Sequence, residues 1–469
     1  MLPRGVSSIW RHRVAMSKWW VAVVLTIAPL ASLDAATTLL SVCSAPPEAA
    51  EQGGQRSLYS RQGEEIWLSW SERGDLPLGC HGLALPVAAE AIRWVGPAER
   101  PDGIELPREV TLQGDVASSD VNVSDVIWHL AEPPDDSTLA EDEPAQRTQL
   151  PDGDASAPRS AWVWAPEAWQ QTPEALWELA DAERLDALYL TLPVTPEGEL
   201  HDPDEVEAFV RAASRRGIDI WPVIGDPRDV LAESLPALLN RVAAYRDYNR
   251  SVPPQARLAG LQLDIEPYLL AGFSLGGDHW RERYIATIRE AHAALDAAMT
   301  LDLVVPVWWG NHPAWGERWL DALPHDQLSI TVMNYRTDPE ALRRGARPFL
   351  AWGSEHGVPV RMALESGPLP DETRLTFSSQ AASADGEKGQ LWLFEQLSPP
   401  LLVLLDEPHA GLPGTPFAQI RESTFAGANL TFAGDQARLN AVAASLAAEW
   451  RQWPAFSGIA VHGLDAVYW

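Results

Sequence analysis

Lysine is almost missing from this 469-residue chain: Lys18 and Lys388 are the only two, and nearly all its positive charge is arginine. Basic residues number 35 against 65 acidic ones, a net charge of −30. That balance excludes the phosphate-neutralising face that nucleic acid or an anionic membrane surface requires of a partner, and it suits a solubilised, salt-tolerant exterior. Cysteine is as scarce. Cys43 and Cys80 make up the whole complement, too few for a disulfide-framed fold or a thiolate metal cluster. His279, His312, His325, His356 and His462 show neither the H-x-H nor the H-x-x-x-H spacing of a metal site. No glycine-rich loop follows a strand to cradle phosphate, and Gly276-Gly277 reads as a flexible connection. The expectation is a protein without metal or cofactor, acting as a monomer.

A long hydrophobic run occurs once. Residues 19–33 are apolar, follow the basic Arg4, Arg11, Arg13 and Lys18, and lead to the small Ala35 and Ala36. The run is interrupted by Pro29 and falls short of the ~20 residues of a spanning helix, so residues 1–36 read as a secretory signal. An uncleaved anchor is the alternative, and Met16 is a second potential start. Cys43 follows Leu40-Ser41-Val42, a poor lipoprotein box. Export to the periplasm or the exterior permits a Cys43–Cys80 disulfide; two free buried thiols is the other reading.

The remaining chain divides by texture. Residues 37–130 are short alternating runs rich in β-branched and aromatic residues (65–70, 91–95, 110–113, 126–130), bounded by Gly and Pro, which predicts a small β-rich domain. Residues 131–158 are acidic and rich in Pro, Ser and Ala, a linker composition. From residue 159 to 469, strand-like runs alternate with helical ones. Strands are expected at 161–164, 185–193, 218–225, 258–266, 301–308, 328–335, 359–365 and 458–462. Helices are expected from Thr172-Pro173 onward, over 204–216 before Gly217, and near 229–248, 279–298, 316–323 and 435–450. Eight βα units predict an α/β fold, a (β/α)8 TIM barrel preceded by the β-rich part; an open doubly wound sheet is the rival. Residues 367–431 are too long for one connection and predict an insertion, with a hairpin at 390–394 and 401–405.

The chemistry concentrates at residues 258–268. On a strand there, Leu261, Leu263 and Ile265 share one face and Gln262, Asp264 and Glu266 the other. Such a polar face suits the inside of a barrel whose active site opens at the C-terminal strand ends. The other strands deliver Trp164, Asp226, Trp308, Trp309, Asn311, Tyr335, Arg336, Arg361, Glu365, His462 and Asp465 to the same end. Asp264, Glu266 and Glu365 are the candidate catalytic carboxylates. Trp164, Trp308, Trp309, Asn311, Tyr335, Arg361 and His462 are the candidate binding residues. Carboxylates walled by aromatics suit a polysaccharide or oligosaccharide, since sugar rings stack on Trp and Tyr and glycoside hydrolysis needs carboxyl groups at the scissile bond. Trp is equally a core filler, Asp264 and Glu266 could instead pair with Arg361 or Arg257, and Glu365 could end in an ordinary turn.

Ala259-Gly-Leu-Gln262-Leu-Asp264-Ile-Glu266 resembles the strand-four Asp-x-x-Asp-x-Asp-x-Glu pattern of the family 18 glycoside hydrolases, the chitinase-like barrels. The last Asp and the Glu match; Ala259 and Gln262 replace the first two acids. Met333-Asn-Tyr335-Arg336 is similar to that family's Met-x-Tyr-Asp with Arg in place of Asp, and His462 lies where a Trp is usual. This resemblance implies Glu266 as general acid, with Asp264 and Tyr335 holding an acetamido group. A second resemblance is to retaining glycosidases with one Glu ending strand four and another ending strand seven. It implies Glu266 as acid/base and Glu365 as nucleophile, although Ile265 stands where that clan has Asn. A non-catalytic, lectin-like carbohydrate-binding barrel and an unrelated barrel enzyme are the competing readings.

Overall fold

The computed structural model describes residues 37–43, 55–61, 64–71, 76, 80–98, 109–114, 157–195, 197–270, 273–276, 278–310, 319–379 and 390–464. The signal-like segment, the strand expected at 126–130, most of the linker, Asn311 and Asp465 lie outside the described residues. Among those described, no helix is long and apolar enough to cross a membrane.

The chain begins with four antiparallel strands, β1 (Thr38–Cys43), β2 (Gln55–Arg61), β3 (Glu64–Ser71) and β4 (Cys80–Leu85), in the order β2-β3-β1-β4. Cys43 sits opposite Cys80 across the β1–β4 pair and is joined to it by a disulfide. Two further strands follow, β5 (Ile92–Pro97) and β6 (Glu109–Gly114). The barrel then starts with β7 (Arg159–Val163), β8 (Ala187–Leu190), β9 (Asp219–Ile224), β10 (Gly260–Leu263), β11 (Thr300–Pro306), β12 (Leu328–Met333) and β13 (Val360–Glu365). An insertion carries β14 (Glu372–Ser378), β15 (Gln390–Phe394), β16 (Leu401–Leu405) and β17 (Thr415–Phe425) before β18 (Phe456–His462) closes the ring. Strands β7 to β13 and β18 form a closed barrel of eight, each at the place the alternation predicts.

Alternation explains the two shells. Leu261 and Leu263 face the helices and join the main core, while Gln262 faces the barrel axis with Trp162, Tyr189, Val223, Val304, Ala363 and Ala460. Helix signals also hold. Pro173 and Pro203 open helices Pro173–Glu183 and Pro203–Ser214, Asp435 caps helix Gln436–Trp450 by accepting from the Arg438 N–H, and Gly217 takes a left-handed φ of 72° just past its helix.

One helix escapes the sequence rules. Residues Pro339–His356 are helical although Gly345, Pro348 and Gly353 lie inside, residues that ordinarily break the pattern. Packing wins here. A methyl group at Gly345 would stand 2.6 Å from Val307, so glycine is what lets this helix lie close to the barrel.

The two β-rich stretches that read as separate modules share a sheet. β5 and β6 pair with insertion strands in the order β5-β16-β15-β17-β14-β6. Its faces follow period two. Leu391, Leu393, Leu402 and Leu404 join the barrel's core, whereas Trp392, Phe394, Leu401 and Val403 pack with Leu40, Val42, Leu68 and Trp70 of the first sheet. The segment that follows Glu365 at the barrel mouth is thereby anchored between N-terminal strands.

The barrel interior also holds a polar layer. Asp302, 1% exposed, accepts from Gln262 Nε2 at 2.7 Å, Ser329 Oγ at 2.5 Å and Thr331 Oγ1 at 2.7 Å, while Gln262 Oε1 accepts from Trp162 Nε1 at 2.6 Å. Removing the acceptor strands three donors, Gln262 and Thr331 buried and Ser329 half-buried, and a network left partly satisfied is worse than none. Asp302→Ala is expected to destabilise the fold by about 3–5 kcal/mol, and Asp302→Asn by less. Chemical denaturation of the two variants checks the order.

Candidate active site

The β10 ladder stops at Leu263, so Asp264 and Glu266 stand just beyond the strand rather than on it. The Asp264 N–H still bonds to the Ile224 carbonyl at 2.9 Å, continuing the β9 pairing for one residue. Pro267 bars Glu266 from helical geometry and opens a short 3-10 turn, Pro267–Leu269; Glu266 precedes it at φ −112°, ψ 71°. The strand thus carries its two carboxylates to the mouth and halts. Gly225 makes room for the chain there, since a Cβ would fall 1.9 Å from the Asp264 carbonyl oxygen.

Both carboxylates are half-buried, and Asp264 Oδ1 is enclosed without a hydrogen-bond donor among the described residues. Burial raises the Asp264 pKa well above the ordinary aspartate value; the neighbouring Glu266 raises it further, and His462 offsets part of this. Burial likewise raises Glu266, against the opposing pull of the Tyr268 phenol and His462. Tyr268 donates directly to Glu266 Oε1. Like charges in a poorly solvated place resist double ionisation, so the pair retains a proton at higher pH than two free carboxyls would. A carboxylic acid still protonated where free ones have ionised is the requirement for a general acid.

Tyr335 is half-buried and feels Glu365, Asp264 and Glu266 in that order, each raising its phenol pKa after the larger effect of burial. Its ring stacks on His462 at 6.1 Å. Trp164 is one of the few large apolar side chains exposed, at 38%, and its indole N–H donates to His462 Nε2 at 2.9 Å. Trp308 is half-buried and meets Tyr268 edge-on at 5.6 Å. Asp264, Glu266, Tyr335, His462 and Trp164 therefore converge at one end of the barrel, and Trp308 flanks the tyrosine on Glu266.

Four of the residues expected at the mouth lie elsewhere or are otherwise engaged. Trp309 is fully buried, packed edge-on against Tyr284 at 5.0 Å and Trp319 at 5.1 Å. It is core, because β11 has ended at Pro306 and the 3-10 turn Val307–Gly310 breaks the alternation that pointed it at the mouth. Arg361 sits low inside the barrel, bonded to the Tyr189 hydroxyl and drawn by Asp302 and Asp219, so it balances interior charge rather than meeting a ligand. Glu365 does end β13, but it is 2% exposed and both oxygens are taken: Oε1 by the Gly367 N–H at 2.6 Å, Oε2 by His462 Nδ1 at 2.6 Å. A nucleophile needs an open approach to the anomeric carbon, and Glu365 has none. Asp226 pairs with Arg228 as the cap of a short turn.

Two contributors were not anticipated. Tyr268 follows Glu266-Pro267 directly, and a turn forced by proline brings an i+2 side chain back toward the carboxylate. Asp302 alternates with Leu301 and Leu303, the same inward signature as Gln262. No group of three or more His, Cys, Asp or Glu side chains among the described residues could hold a metal ion.

No family model matches the chain, and no curated protein matches it. Among solved structures it is similar to the spore cortex-lytic enzyme SleL of Bacillus cereus, at 11% identity and a TM-score of 0.36, over 65% of this chain and 70% of that one. It is similar to a chitinase of Rhizomucor miehei, at 14% identity and a TM-score of 0.34, over 65% and 93%. A family GH18 chitinase of Cycas revoluta in complex with allosamidin stands at 13% and 0.37, over 65% and 94%. Likeness this slight adds nothing to what the closed barrel itself establishes about the fold.

Proposed function

We propose that this chain is a glycoside hydrolase, with Glu266 as general acid at the mouth of a TIM barrel. The observation that carries the reading is the Asp264–Glu266 pair: two adjoining half-buried carboxyls beyond β10 whose pKa values burial raises, that of Asp264 further through its neighbour, so that the pair holds a proton to higher pH than free carboxyls do.

Within that class the chain is chitinase-like, of the family 18 type, and its substrate is a polymer of N-acetylated amino sugars. The alternative with Glu365 as nucleophile is disfavoured by the enclosure of that side chain. Asp264 follows the same strand as Glu266, and no open carboxylate among the described residues faces the pair from another strand, so the nucleophile is best supplied by the substrate's own 2-acetamido group, a known exception to the two-carboxylate scheme. Glu266 gives its proton to the glycosidic oxygen as the bond to the anomeric carbon breaks. The acetamido carbonyl oxygen bonds to that carbon and forms an oxazolinium ion. Asp264 accepts the acetamido N–H, and Tyr335 helps to hold the group. Water then adds to the anomeric carbon as its bond to the acetamido oxygen breaks, the water's proton passes to the Glu266 carboxylate, and both the acetamido group and the acid are restored. The substitution of Gln262 for an acid is compatible with this, because Asp302 on the next strand supplies the interior carboxylate that Gln262 itself hydrogen-bonds.

We place the enzyme outside the cytoplasm, acting as a monomer; the signal-like N-terminus and the Cys43–Cys80 disulfide support an oxidising compartment. Release of reducing ends from a panel of polysaccharides, amino-sugar polymers included, tests the reading. Activity confined to N-acetylated polymers is the expected result. Binding to one polymer with no release from any would favour a lectin-like barrel.

A further inference from the structure

Glu365 is buried and spent on no catalytic step, and it needs an explanation. It lies at one end of a three-residue chain. Its Oε2 meets His462 Nδ1 at 2.6 Å, and His462 Nε2 meets the Trp164 indole N–H at 2.9 Å. An indole nitrogen only donates. In the neutral imidazole the Nε2 it faces must therefore accept, which places the ring proton on Nδ1, donated to Glu365; the protonated ring, the form that lowers the pKa of Asp264 and Glu266, would turn an N–H against the indole. Carboxylate and indole thus fix the tautomer from both sides. Glycines make room for the carboxylate: Gly463 has φ 73°, and a Cβ there would stand 2.6 Å from Glu365 Oε1. The imidazole is wedged between the Trp162 ring at 5.8 Å and Tyr335 at 6.1 Å. At the far end stands the indole of Trp164, 38% exposed yet tethered. A large aromatic face kept in water but held in one orientation is suited to a flat apolar ligand surface such as a sugar ring.

We propose that Glu365 is a positioning residue that acts through His462 to hold Trp164 as a sugar-stacking platform beside Glu266. This rests on the carbohydrate reading of the site. The chain belongs to the same electrostatic group as the acids: His462 faces Glu365 from β13, Asp264 and Glu266 from beyond β10, Tyr335 from beyond β12, Trp162 from β7 and Trp164 from just beyond it. Gln at 365 has a single acceptor oxygen. It can serve the Gly367 N–H or the His462 Nδ1–H, not both; if its amide N–H faces Nδ1, the imidazole proton moves to Nε2 and confronts the Trp164 N–H.

The test uses the full chain with nitrogen-labelled tryptophan, the Trp164 indole signal being assigned by its loss in Trp164→Phe. In Glu365→Gln the Trp164 indole proton is expected to exchange with water at least about 10-fold faster than in wild type, as the bond to His462 is lost. An exchange rate unchanged both in Glu365→Gln and in Glu365→Leu, whose side chain can accept from neither donor, overturns the chain of coupling, whether or not the protein cleaves anything. Binding of N-acetylated chitotetraose is measured alongside. Glu365→Gln and Trp164→Phe should each weaken it by roughly 10-fold, and the double variant by no more than the Trp164→Phe variant alone. Additive losses, or a Trp164→Phe variant that binds as tightly as wild type, overturn the platform role. If wild type itself fails to bind, the glycosidase reading falls and the platform with it, while the exchange measurement still decides the tethering of Trp164.

Discussion

Glu266→Gln is expected to lower the hydrolysis of an N-acetylated chitooligosaccharide by roughly 10²–10⁴-fold, the contribution of a positioned general acid, while leaving its affinity nearly intact. Gln keeps the shape and can still accept from the Tyr268 phenol, so the fold and the pocket persist. The loss should depend on the leaving group. A natural sugar leaves as an alkoxide equivalent and needs a proton. A dinitrophenolate does not, so the variant's first step with an activated aryl glycoside should fall much less. Equal losses on both substrates would move Glu266 from acid to a purely structural role.

Asp264→Asn separates function from stability. Activity should fall by roughly 10²-fold or more, since a neutral amide oxygen holds the acetamido N–H more weakly than a carboxylate and cannot offset the positive charge that develops on the oxazolinium. Stability should rise. In the unfolded chain Asp264 ionises in the usual aspartate range, and in the fold its pKa is raised by burial and by Glu266. Between those two values the native state binds the extra proton, so raising the pH through that window destabilises the wild type. Asn carries no such titration. The variant should therefore melt with wild type at acid pH, below the ordinary aspartate range, and above it at neutral pH and beyond. A gain of about 0.5–2 kcal/mol is usual when a strained functional group is removed. Melting curves across pH decide this, and a variant less stable than wild type at neutral pH would contradict the raised pKa.

The barrel was legible because its strands alternate strictly. Residues 261–266 on β10 and beyond, and 301–303 on β11, separate aliphatic from polar groups by a period of two, and that period assigns inside and outside there. The carboxylates at 264 and 266 were legible for the same reason. Alternation fails where the strand has ended. Trp309 lies in a 3-10 turn, where its direction follows local helical geometry, and it went to the core. Glu365 was correctly located at the end of β13, but nothing in its neighbours along the chain tells that His462, 97 residues later, would seal it. Tyr268 and Asp302 carried usable signals, a proline turn and an inward polar position, that went unread. The shared sheet was not legible at all. The unbroken apolar run of β16 says that it is a strand with two buried faces, and it cannot name β5, some 300 residues away, as its partner. The helix Pro339–His356 was hidden by glycines whose purpose is close packing, visible only once the barrel is in place.

The central claim is that Glu266 works with the substrate's own acetamido group. Matched chitooligosaccharides, N-acetylated and N-deacetylated but of equal length, test it directly when wild-type cleavage of each is followed by release of reducing ends. The account predicts cleavage of the N-acetylated oligomer alone, with the product first appearing in the retained β-configuration, because displacement by the acetamido group and then by water inverts twice. Cleavage of both oligomers at similar rates would contradict it, and would return the search for a second carboxylate to the mouth of the barrel.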